Sequence, residues 1–154
     1  MTYDARQIAN WFIQRAAQEG RPLSIMALLK LVYIAHGWNL EIQGKPLISN
    51  RIEAWQYGPV IPDVYRAFRP QGVAVRQPDP NYATPSDPTD TAFLEEIYGI
   101  YGRMSPFRLS ELTHVEGGPW ETARKWGGWY AEIPNDLIHS HYVSKRQATN
   151  GANG

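Results

Sequence analysis

The chain has 154 residues, 43% hydrophobic and 12% aromatic with six Trp and nine Tyr, enough to bury most of its apolar surface in one domain. Fifteen Lys and Arg balance fifteen Asp and Glu, which argues against a dedicated nucleic-acid binder, because such proteins draw affinity from a basic surface facing phosphates. With no cysteine, disulfide staples and thiolate metal sites are excluded.

The opening MTYDARQIANWF lacks the basic start and apolar run of a signal peptide. Ile8, Trp11, Phe12 and Arg15 recur at helical spacing and predict a first helix over Asp4–Gln18, which Gly20 ends. Ser24 then caps a central helix over Ile25–Ile42 whose only clearly polar residues are Lys30, His36, Asn39 and Glu41. A helix apolar nearly all round must be buried on most sides. Lys30 and His36 interrupt it, so no window reaches the eighteen or so uninterrupted apolar residues of a membrane span.

Gly44-Lys45-Pro46 breaks the central helix, and a short branched-aromatic stretch follows at Ile52, Ala54, Trp55 and Tyr57. Trp55 and Tyr57 alternate along a strand and should share one face, more readily a core face than a binding face. Gly58-Pro59 reads as a second break, and Pro62–Phe68 as a short helix. From Arg69 to Asp90, prolines at 70, 78, 80, 85 and 88 among Asp, Asn, Ser and Thr predict an exposed loop, with one short edge strand at Val73 and Val75. A helix over Thr91–Arg103 follows, capped by Thr89 or Asp90, and then one over Ser105–His114 with Pro106 at a permitted first-turn position. Pro119 opens a short helix through Trp126, Ile133–Tyr142 forms the last, and the polar, Gly/Asn-rich stretch 145–154 reads as a disordered tail. The expectation is a mainly α, compact single-domain fold around a buried central helix, with a small β element.

Chemistry-bearing constellations are sparse. His36 lies mid-way along the buried helix and reads as a hydrogen-bonded core histidine rather than a base. His114 and Glu116 lie together at a helix end and could form an acid–base pair, which keeps a His/Glu-dependent enzyme as a minor alternative. His139 and His141 are two apart and make a poor chelate on a helix, so no metal site is expected. No Gly-x-Ser-x-Gly elbow, GxxxxGK or GxGxxG is present, and no cofactor is expected. The pairs Arg66/Arg69 and Arg124/Lys125 are too sparse for a DNA-recognition helix. Trp126, Trp129 and Tyr130 straddle Gly127-Gly128 and cannot all reach one core. Together with Arg124 they are the candidate contact residues for a protein partner, since exposed aromatic and Arg anchors carry interface energy.

Four segments carry a family resemblance. They are Leu28-x-Lys30-Leu31-x-Tyr33-x-Ala35-x-Gly37-Trp38, Gly44-x-Pro46-Leu47, Ile52-Glu53-Ala54-Trp55-x-Tyr57-Gly58-Pro59-Val60, and Pro62-x-Val64-Tyr65. The C-terminal half adds Leu112-Thr113-His114, Pro119-Trp120 and Ile133-Pro134. Together they resemble the Panacea domain, the antitoxin-associated and phage-associated family of SocA-like proteins. The resemblance implies a Panacea-like domain over residues 1–144 that neutralises a cognate toxin by direct contact; the lack of a signal peptide and of a membrane span makes the cytoplasm the expected compartment. An alternative it leaves open is a phage-type adaptor acting on a host factor, including delivery to a host protease. Lys30, Tyr33, Gly37, Trp38, Glu53, Trp55, Tyr57, Gly58, Pro59, Thr113, His114, Pro119 and Trp120 are the motif residues, read as scaffold. Gly118 and the proline-rich loop depart from the pattern.

Overall fold

The computed structural model describes residues 2–153, with side chains through 149. Among the described residues, seven α-helices follow in the order α1 (Ala5–Gln18), α2 (Ile25–Gln43), α3 (Pro62–Phe68), α4 (Pro88–Tyr101), α5 (Pro106–Thr113), α6 (Pro119–Gly127) and α7 (Asn135–Asn153). A hairpin of β1 (Glu53–Trp55) and β2 (Gly58–Val60) sits between α2 and α3 in the chain.

The central helix behaves as its composition requires. Ser24 Oγ accepts from the Ala27 amide, Gly44 closes the other end at φ 70°, and every residue from Ala27 to Gly37 is buried. Helices α1, α3, α4, α5 and α7 and strand β2 all pack on it. By length and hydropathy α2 could cross a membrane, but 72% of its most apolar window is buried inside the fold. At Gly37 the Tyr142 ring of α7 lies so near that a Cβ would collide with it. His36 is a core histidine, its Nδ1 accepting from the Ile48 amide and its Nε2 donating to Asn135 Oδ1 at 2.8 Å. Burial holds its pKa below the ordinary value, partly countered by the bond to Asn135.

Four sequence expectations are corrected. Gly58-Pro59 is not a break but lies within β2, with Ala54 opposite Pro59. The Ala54 N–H and C=O point away from β2, toward Ala131 and Tyr130. Pro59 therefore occupies a position where no cross-strand bond is made, and its missing N–H costs nothing. Tyr57 does not share a strand face with Trp55; it lies in the two-residue turn and is 66% exposed.

The proline-rich loop ends at Asp87, not Asp90, because the Asp87 carboxylate caps Thr89 and Asp90 and Pro88 takes the first turn of α4. Nor is the loop simply an exposed excursion. Asn10, 1% exposed on α1, donates to the carbonyls of Asp79 and Tyr82 at 2.9 and 2.7 Å and accepts from the Asp79 amide at 2.8 Å. Arg6 stacks over Tyr82, and the expected edge strand shrinks to one bridge between Val75 and Leu23, with Val73 left exposed.

The fourth correction concerns the tail. Helix α7 continues through Asn153, past Lys145, and Arg146 reaches both carboxylate oxygens of Glu41 at the end of α2 while covering Trp38. That ion pair and stacking extend the helix beyond the polar boundary in sequence. Gly154, the last residue of the expected tail, lies outside the described residues.

Candidate interaction surface

The hairpin and α6 together build an aromatic shelf. After α6 the chain turns back along β1: the Tyr130 amide donates to the Ala54 carbonyl, the Ala54 amide to Ala131, and the Ile133 amide to Ile52, each at 2.8 Å. This return covers the free edge of β1 and places Tyr130 beside Trp55. Tyr130 is held at φ 66°, the left-handed region that a residue with a Cβ enters at a cost of roughly 1 kcal/mol or more.

Trp55 stands between Tyr65 and Tyr130, edge to face with each, at centroid distances of 5.1 and 5.5 Å. Its indole Nε1–H donates to Glu53 Oε1 at 2.9 Å, and the other Glu53 oxygen accepts from Arg51. Its carbonyl accepts from Trp120 Nε1 at 2.7 Å. Trp120 in turn tilts against His114 at 4.3 Å and Trp129 at 6.4 Å. The Arg124 guanidinium lies over Trp129 at 4.9 Å and Trp120 at 5.6 Å. Trp129, under this half-buried arginine, is 51% exposed, and Tyr130, beside Trp55, is 62% exposed; Trp126, two residues beyond Arg124 on α6, falls on the opposite side of that helix and is 83% exposed.

Beneath the shelf the motif residues lock the hairpin to α2 and α5. Lys30 is fully buried, and its Nζ donates to the Pro59 carbonyl at 3.1 Å. No carboxylate is paired with it among the described residues, and burial drives its pKa down to about 7. Gly58, at φ 119°, leaves the space that Lys30 and His114 use: a Cβ would stand 2.8 Å from His114 Cε1 and 2.9 Å from Lys30 Nζ. Thr113 returns its hydroxyl to the Leu109 and Ser110 carbonyls, and His114 Nδ1 bonds the Ser110 carbonyl at 2.9 Å. Pro119 is buried at the first turn of α6. Tyr33 is buried against the core, and Trp38 bonds Tyr101 through its indole N–H and meets Tyr142 edge to face.

The residues that an acid–base enzyme would need are not joined. His114 bonds its own helix, Glu116 is exposed without a side-chain hydrogen bond among the described residues, and His36 is committed to Asn135. No group of three or more His, Asp or Glu residues is arranged to hold a metal ion among the described residues.

Sequence reasoning missed Tyr65 as the second wall of Trp55, and missed a groove of about 340 Å³ lined by Met26, Tyr57, Pro106, Phe107, Ser110 and His114. Phe107 is 86% exposed at its rim. A signal for it was available: Leu109 and Thr113 define the buried stripe of α5, and Phe107, two residues before Leu109, falls on the opposite side.

The model of a family described as antitoxin SocA-like, Panacea domain, matches residues 28–121, from the buried start of α2 to the first turn of α6. The chain belongs to the SocA-like Panacea family. Antitoxin SocA of Caulobacter vibrioides (strain NA1000 / CB15N) is 36% identical over 136 residues, covering 77% of this chain and 69% of that protein. No solved structure matches. The Panacea match contains the Lys30–Pro59–His114 lock and Trp55, Tyr65 and Trp120, and it ends three residues before Arg124.

Proposed function

We propose that this Panacea protein is a non-catalytic antitoxin that acts in the cytoplasm by binding a cognate toxin directly. The observation that carries the reading is the run of exposed aromatics Trp126, Trp129 and Tyr130 at the end of α6 and its return, with Arg124 stacked on Trp129, on a scaffold shared with a protein named as an antitoxin. Large exposed aromatics and arginine are the residue types that dominate interface energy, and a backbone-bonded frame beneath them limits the entropy lost on binding. The hairpin and its lock hold that frame and do not touch the partner.

The test is co-expression of this chain with the protein encoded beside it, scoring growth rescue and co-purification. Wild-type protein should rescue growth and form a stable complex. The triple variant W126A/W129A/Y130A should lose at least ~100-fold in affinity, since central aromatic anchors contribute about 2 kcal/mol or more apiece. It should remain folded, because all three rings are more than half exposed. A triple variant that rescues and binds as well as wild type sinks the assignment of this surface. A toxin whose level falls on co-expression, with rescue lost in a protease-deficient host, would replace occlusion by proteolytic delivery.

A further inference from the structure

Arg124 is one of four arginines, with Arg21, Arg69 and Arg76, that make no ion pair among the described residues, and it differs from those three in lying over two indole rings. Seven of the eleven arginines in the chain are ion-paired to an Asp or Glu side chain: Arg6, Arg15, Arg51, Arg66, Arg103, Arg108 and Arg146. Arg124 makes no ion pair and no side-chain hydrogen bond among the described residues, and its Nε is buried without a partner. Among the described residues it alone lies over two indole rings, Trp129 and Trp120. The nearest acidic side chain on its own helix, Glu121, is already engaged by the Gly117 amide and by Lys125 Nζ at 3.3 Å. The guanidinium thus lies over two tilted indole rings, partly covered from water and without an ion-pair partner among the described residues.

An arginine stacked in this way has lost most of its rotamer freedom before any partner arrives, and its planar fork matches a carboxylate through two parallel hydrogen bonds. Partial burial by the rings raises the strength of such a pair above that of an exposed surface bridge. The exposed Trp129 beneath the guanidinium offers apolar area for whatever surrounds the carboxylate. A phosphate could use the same fork, but the zero net charge of the chain supplies none of the long-range attraction that nucleic-acid binding draws upon.

We infer that Arg124 is the specificity-determining contact of the shelf, and that it receives an Asp or Glu carboxylate from an acidic, apolar-flanked segment of the toxin. This rests on the antitoxin reading and names the chemistry of its interface.

The test uses the full-length chain and the product of the neighbouring gene. R124Q and R124K should each weaken the complex at least tenfold, the lysine variant because it keeps charge but loses both the fork and the stacking. R124E should abolish rescue, and a library of single Asp/Glu→Arg or Lys changes in the toxin should contain at least one that restores binding to R124E while weakening binding to wild type. Circular dichroism and thermal melts of each variant confirm folding. If wild type rescues but R124E binds equally well, or if no acidic position in the toxin suppresses R124E, the carboxylate contact is refuted while the antitoxin reading stands. If R124E instead loses retention on a single-stranded RNA column and keeps its toxin, the ligand is a phosphate and the inference is overturned. Failure of wild type to rescue or bind removes both readings together.

Discussion

Lys30 is the residue whose replacement most directly tests the energetics of this fold. It is fully buried, its Nζ makes one hydrogen bond, to the Pro59 carbonyl, and burial lowers its pKa from 10.5 to about 7. Between those two values the unfolded chain carries a proton that the folded chain does not, so stability rises as pH rises through this window. Below pH 7 the full penalty of holding a buried ammonium applies, about 5 kcal/mol from a shift of this size. From pH 7 to pH 9 about 2 kcal/mol of that should be recovered. K30M removes the titration and keeps the side-chain length, but leaves the Pro59 carbonyl without its donor, at a cost of about 1–3 kcal/mol. The variant should therefore be more stable than wild type by about 2–4 kcal/mol at pH 6 and should lose most of that advantage by pH 9. Urea denaturation of both proteins at pH 6, 7, 8 and 9 measures this. Taking the difference cancels the other groups that titrate, including Lys145 and His141, whose pKa values burial also lowers. A wild-type-minus-K30M difference that stays constant across the series would refute the assignment of a burial-depressed lysine.

Two further outcomes follow from named contacts. N10A removes three hydrogen bonds between α1 and the proline-rich loop at a site 1% exposed, and should cost about 2–3 kcal/mol with faster amide exchange across residues 79–83, read by hydrogen-exchange mass spectrometry; unchanged exchange there would mean the loop is held by other means. Y130G relieves the left-handed backbone at φ 66° while deleting the contact with Trp55, so its melting temperature should stay within a few degrees of wild type, whereas Y130A keeps the strain and should be less stable by about 1 kcal/mol. Both should weaken toxin binding, and a Y130A melting point at or above that of Y130G would contradict the strain argument.

Much of the architecture was legible along the chain because it depends on local rules. The apolar run from Ile25 to Ile42 demanded burial whatever surrounded it, Ser24 and Ser105 announced helix starts, and Pro62–Phe68 and Pro119 were read at their observed positions. The exposed side of Gly127-Gly128 was also foreseeable, since three large rings flanking a flexible pair cannot share one core direction. What sequence did not determine is every feature set by partners distant in the chain. Pro59 looked like a strand breaker, yet fits β2 because the bonds of the opposite Ala54 are drawn off by residues 130–131. Asn10 looked like one polar residue on a helix, yet it holds a loop about seventy positions away, and Arg146 carries α7 past an apparent end by pairing with Glu41. The stacking of Arg124 on two indoles, and the absence of any acidic partner for it among the described residues, likewise arise only when α6 folds back against the hairpin. Periodicity and capping depend on residues within one or two turns of each other, so they can be read in order. Which charges and rings meet across the fold depends on how α2 gathers its neighbours, and only the tertiary structure decides that.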